Sequence, residues 1–120
     1  MEGYQTSAFG SFSHVEGGAT KASGYYSHAE GSKTETLSSA NSAHAEGRET
    51  KATANYSHAE GYRTRASGDQ SHAEGSGCIA EGITSHVAGY MCKSGKNAEC
   101  THVLGYNAIT DNQRSFVWSG

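Results

Sequence analysis

The chain has 120 residues, a formal net charge of −3 and only 12 Leu, Ile, Val and Phe in all, far fewer than a thick globular core requires. The small charge excludes a surface built for nucleic acid or anionic lipid, and no run approaches the roughly 20 apolar residues of a membrane-spanning helix. Disorder is also a poor reading, because it calls for high net charge and aperiodic polar tracts, whereas this chain is periodic, with 16 Gly and no Pro.

Met1-Glu2-Gly3-Tyr4 does not begin a signal peptide, and Glu2-Gly3 is expected to count as a partial coil of the repeat that follows. From there all seven histidines fall on one ladder: His14, His28, His44, His58, His72, His86 and His102. The residue before each is Ser, Ala or Thr, and the residue after it is Ala or Val. Three residues after each stand Gly17, Gly31, Gly47, Gly61, Gly75, Gly89 and Gly105, a fixed phase that predicts turn glycines with positive φ or a close backbone approach. The most regular copy, Ser57 to Gln70, has two small-x-small-x-Gly halves, which predicts a 14-residue coil of two short strands and two turns. Period-2 alternation sends Ser57, Ala59, Thr64 and Ala66 inward and His58, Glu60, Arg65 and Ser67 outward.

Two copies carry two extra residues, within Thr36–Asn41 and Ser94–Glu99, and these are expected to leave the ladder as edge loops. The chain ends on Arg114-Ser115-Phe116-Val117-Trp118. The expected organisation is a repeat domain of seven to eight coils over residues 1–110, forming a rod on the order of 40 Å long at about 4.8 Å per rung. Residues 111–120 are expected to be an exit strand leading into a further C-terminal region of a longer protein.

Ser-His-Ala-Glu-Gly followed by Thr-x-Ala-x-Gly resembles the head repeats of the YadA-like trimeric autotransporter adhesins, and the related repeats of phage tail and appendage proteins. The likeness runs from Glu2 to about Thr110. It implies an all-β, left-handed parallel β-roll, three identical chains around an axis, and display on a bacterial surface or virion. In the adhesin heads the two outward positions of the first strand are commonly aliphatic and face the partner chains; here they are His and, from Glu16 to Glu74, Glu. If that geometry carries over, the trimer interface is formed by His14, His28, His44, His58, His72, His86 and His102 with Glu16, Glu30, Glu46, Glu60, Glu74 and Leu104. The Glu column turns apolar at Ala88 and Leu104, which suits a face packed on other chains better than one left in water.

The Ser-His-Ala-Glu strings invite a Ser-His-Glu triad, but adjacent strand residues point to opposite faces, so no catalytic residue and no enzyme is expected. His28, His44, His58 and His72 are candidate metal ligands; the competing reading is a His–Glu hydrogen-bond lattice that fixes register, with no cofactor. Stacked histidines that charge together repel, so acid is expected to loosen the C-terminal end first, where Glu is missing. Cys78 and Cys92 fall in the inward Thr column and are expected to be free buried thiols, with Cys100 at a turn. Tyr4, Tyr62, Tyr90 and Tyr106 follow the glycines and suit packing over a turn, or a sugar-binding rim.

The functional expectation is a structural or adhesive segment of an elongated attachment protein, in a phage or prophage tail or appendage. Its partners would be its own copies and a host receptor or glycan. The alternatives are the head of a bacterial surface adhesin, a passive spacer or a folding scaffold ahead of a chaperone domain. An ice-binding face is disfavoured because the outward columns carry charge where Thr rows are wanted.

Overall fold

Small side chains at every inward position let two strand layers approach closely, and the chain winds accordingly. The computed structural model describes residues 2–120. Among these residues there are 17 strands and no helix. Five-residue strands such as His58–Tyr62 alternate with two-residue strands such as Arg65–Ala66. The longer ones form a nine-stranded parallel sheet and the shorter ones an eight-stranded parallel sheet. Stacking of nine rungs at about 4.8 Å accounts for the long dimension of the 39 × 22 × 12 Å particle.

Register places like on like: His58 pairs with His44 and His72, and Ala59 with Ala45 and Ala73. The two-residue insertions do not disturb this, since His28 aligns with His44 and His86 with His102. The interior is a set of columns, all buried: Ser27, Ser57, Ser71 and Ser85; Val15, Ala29, Ala45, Ala59, Ala73, Val87 and Val103; Thr34, Thr50, Thr64, Cys78 and Cys92; and Ala22, Ala52, Ala66 and Ala80. Ser27, Ser57 and Ser85 each donate to the carbonyl three residues earlier, at 2.7 Å, so the serine column closes its own turn.

The invariant glycines satisfy both conditions expected of them, though not at a corner. Gly61 lies inside the strand His58–Tyr62 with φ of 103°, and a Cβ there would stand 2.1 Å from the carbonyl oxygen of Gly75 on the next coil. The corners are made by ordinary residues in the left-handed region, among them Lys33, Arg63 and Gln70 at φ of 57°, 53° and 59°. Such a conformation costs an L-residue about 1 kcal/mol. It is held because each N–H donates to a carbonyl one coil back: Lys33 to Gly18, Arg63 to Arg48 and Gln70 to Asn55, at 2.8–2.9 Å.

One corner carries a side-chain ladder. The backbone N–H of Tyr25 donates to Asn41 Oδ1, that of Asn41 to Asn55 Oδ1, and that of Asn55 to Asp69 Oδ1, at 3.0–3.2 Å. The insertions are smaller than the stretches that contain them. Ala40 and Ala98 are buried and rejoin the coil, leaving Leu37-Ser38-Ser39 and Lys96-Asn97 exposed. At the C-terminus, Phe116–Ser119 pairs with His102–Tyr106 and adds a ninth rung, with Phe116 in the His column, Val117 in the inward column and Trp118 in the Glu column.

The glycine column yields a controlled test. Gly61→Ala must move a backbone carbonyl and strain φ, so we expect a loss of roughly 3 kcal/mol or more. Gly18→Ala, where nothing lies within 4 Å and φ is not in the left-handed region, should change stability by less than about 0.5 kcal/mol. Urea denaturation of the two variants checks the contrast.

Candidate functional site

The outer face of the nine-stranded sheet concentrates the titratable side chains. Each five-residue strand begins with His, and the first five of them present Glu two residues later, so alternation puts both on this face. The imidazoles form one continuous stack: successive ring centroids lie 4.6–4.8 Å apart from His28 to His86, with interplanar angles of 13° or less. The ends tilt, by 44° between His14 and His28 and 33° between His86 and His102. Beyond His102 the ring of Phe116 packs edge-on at 5.5 Å.

The carboxylates run beside the stack and shift partners along it. His28 and His44 meet the Glu of their own strand, Nε2 to Oε2, at 3.0 and 3.1 Å. Further along, Glu60 lies 3.5 Å from His58 and 3.7 Å from His72, while Glu74 lies 3.6 Å from His72 and 3.5 Å from His86. His86 thus uses the carboxylate of the preceding coil, because its own strand carries Ala88. His58 and Glu60 are about one-third exposed, at 36% and 32% of their side-chain surface. The Nε2 atoms of His44, His58, His72 and His86 are nevertheless shielded from solvent and lack a well-aligned hydrogen-bond partner.

Burial, then the charge of neighbouring imidazoles, holds His44 and His58 below the ordinary histidine pKa, against the opposing pull of the glutamates. His102 is lowered in the same way, by burial and by His86. Glu60 is raised, first through its hydrogen bond with Glu74 and then by burial; Glu74 is lowered, first through the same hydrogen bond, with His72 and His86 adding to it. The two carboxyls therefore titrate as a pair.

Three sets of donors come within 4.8 Å of one another: His44, Glu46 and His58; His58, Glu60 and His72; His72, Glu74 and His86. His44, His58 and His72 are among the candidate ligands that the sequence offers. His28 pairs with Glu30 but falls in none of the sets, and His86, which the sequence reading left out, takes part in one. The Ser-His-Glu strings make no triad: Ser57 is buried on the inner face, donating to Ala54, while His58 is on the outer face. Cys78 and Cys92 are buried and free in adjacent coils, burial pushing the Cys78 thiol up, and Cys100 is exposed at a left-handed corner. Of the tyrosines, Tyr90 and Tyr106 stack at 5.2 Å, whereas Tyr62 is flanked by Arg48 and Arg63. A second aromatic stack, Phe12 on Tyr26 at 5.1 Å, joins residues of a corner column that carried no sequence signal.

The face loses its polarity towards the C-terminus. Ala88, Leu104 and Trp118 follow Glu74 in the glutamate column, and Phe116 follows His102 in the histidine column. Phe116 and Trp118 are 66% and 69% exposed, so the chain by itself leaves an apolar corner in water. Comparison with known protein families and with curated proteins finds no match to this chain.

The sign of the pH dependence follows from the lowered histidines. The unfolded chain takes up these protons near 6.5, whereas folded His44, His58 and His102 do so only at lower pH. Stability is therefore full above 6.5 and is lost as pH falls through the folded values. Because His44 and His58 lie mid-stack, the acid-sensitive groups are not confined to the C-terminal end. We expect the thermal midpoint to fall on acidification from neutral pH to about pH 5, and His44→Asn with His58→Asn to flatten that dependence. A midpoint independent of pH over this range would contradict it.

Proposed function

We propose that this chain is one of three identical subunits in a slender β-roll that gives an elongated attachment protein its reach and rigidity, without catalysis. The observation that carries the reading is the outer face of the nine-stranded sheet: a half-buried His–Glu lattice that ends in the exposed corner of Phe116 and Trp118, beside half-buried Leu104. A corner of that kind calls for a cover. The lattice is continuous with it in the same columns, and repeats resembling those of YadA-like heads turn this face towards partner chains, in a left-handed roll. A second copy related by rotation about the long axis brings the same strip to the axis, so the interface is built from the His and Glu columns and closed by the aromatic corner. A particle only 12 Å thick in its shortest dimension has little internal core of its own, which gives assembly a thermodynamic purpose.

The opposite face suits solvent. Lys51 pairs with Glu35 there at 3.4 Å, and Arg63 with Glu49 at the adjoining corner at 2.9 Å, surface ion pairs of little energetic weight that keep the exterior polar. Three free thiols in one chain favour assembly in a reducing cytoplasm over secretion through an oxidising compartment. This supports a phage or prophage tail or appendage protein ahead of the surface adhesin or spacer. Receptor contact, if the segment makes any, falls to the exposed edge loops at Leu37–Ser39 and Lys96–Asn97.

Sedimentation equilibrium tests the assembly. We expect a mass three times the 12.6 kDa of the chain, and dissociation when Phe116 and Trp118 are both replaced by Ser. A monomer at all concentrations would overturn the reading.

A further inference from the structure

We propose that the His–Glu face binds divalent transition-metal cations of zinc's class in His–Glu–His sets, at most two per chain. The donors all come from one chain, so the inference stands apart from the trimer.

The chemistry of the donor set selects the cation. Imidazole nitrogens alternating with carboxylate oxygens suit zinc, cobalt or nickel; calcium and magnesium take oxygen ligands and would leave the imidazoles unused. The spacing fits as well. Bonds of about 2.0–2.2 Å to nitrogen and oxygen place tetrahedral ligands roughly 3.4 Å apart. The His–Glu separations along the strip are 3.5 Å for His58–Glu60, 3.6 Å for His72–Glu74 and 3.5 Å for His86–Glu74. Glu60 and Glu74 each lie beside two successive imidazoles, and Glu46 lies 3.1 Å from His44, so a cation chelated by one His–Glu pair reaches the next imidazole by rotation of its ring. The rings of the three sets lie 3°, 0° and 12° from parallel and must tilt for their lone pairs to converge on a cation.

The nitrogens concerned have only the neighbouring carboxylates for partners. Nε2 of His44, His58, His72 and His86 is shielded from solvent and has no well-aligned hydrogen-bond partner, which is an unfavourable state for a polar atom and one that a cation relieves. These four are the same histidines that make up the three donor sets. The middle set shares His58 with the first and His72 with the last, so filling it excludes both neighbours. The first and last share nothing, and two cations is the ceiling.

Zinc titration by calorimetry, with elemental analysis after gel filtration, measures the stoichiometry on the protein without a histidine tag. A Cys100→Ser background removes the one exposed thiol as a competing ligand. We expect two zinc ions per chain in this background, one after His58→Asn, which leaves only the last set, and none after His58→Asn with His72→Asn. Calcium should not bind. Zinc binding of zero in the background protein, or of two in the double variant, overturns the proposal. Should a variant fail to fold, paramagnetic cobalt added to the Cys100→Ser protein reads the same question. Preferential broadening of the ring resonances of His44, His58, His72 and His86 over those of His14 supports the sites, and uniform broadening refutes them. Because stoichiometry is counted per chain, a monomeric particle that binds zinc separates failure of the assembly from failure of this site.

Discussion

The structure depends on one steric constraint: two strand layers meet across a lumen too narrow for anything larger than Val. Ala59, Ala66, Ser57 and Thr64 fill it in the central coil, with Val admitted at Val15, Val87, Val103 and Val117, towards the two ends. Burial of such small groups contributes little per residue, at about 0.8 kcal/mol per methylene-sized unit. The backbone therefore has to supply most of the cohesion through parallel ladders. Those ladders in turn require each coil to sit directly on the last, which forces the Gly61 Cα to within van der Waals range of the Gly75 carbonyl. A glycine column and a small-residue lumen are two expressions of the same close stacking.

Stacking of like on like then determines the outer surface. A repeat that carries His at one outward position makes a column of imidazoles, with no freedom to alternate the charge along the stack. The glutamate two residues on is what makes that column tolerable, bringing a carboxylate within 3.0–3.7 Å of each ring from His14 to His86. Where the glutamate gives way to Ala88 and Leu104, the neighbouring His102 meets Phe116 instead, and the strip becomes apolar. The face is thus polar in the middle and greasy at one end, a division that suits contact with further copies of the chain more than contact with water.

Much of this was legible because the repeat turns one local decision into seven. The inward set of Ser57, Ala59, Thr64 and Ala66 and the adjacent-coil placement of Cys78 and Cys92 follow from period-2 alternation within a 14-residue period. The corners were not legible, because Arg63 and Gln70 are in the left-handed region for a reason external to themselves: their N–H groups find carbonyls one coil back. Nor was the Asn41–Asn55–Asp69 ladder, whose residues look like ordinary turn formers until register aligns them. Phe116–Ser119 escaped notice as a ninth rung because Phe and Trp replace the His and Glu that define the motif, although Val117 keeps the inward column. His86 was left out of the candidate ligands, and its carboxylate partner, Glu74, belongs to the preceding coil.

The claim beneath all of this is that successive repeats stack in parallel, residue for equivalent residue. Nuclear Overhauser contacts measure it directly. The account predicts contacts between residues 14 apart, such as His58 with His72 and Ala59 with Ala73, changing to 16 apart across the insertions, as in His28 with His44 and His86 with His102. Contacts confined to residues three or four apart, or a constant 14-residue offset through both insertions, would contradict it.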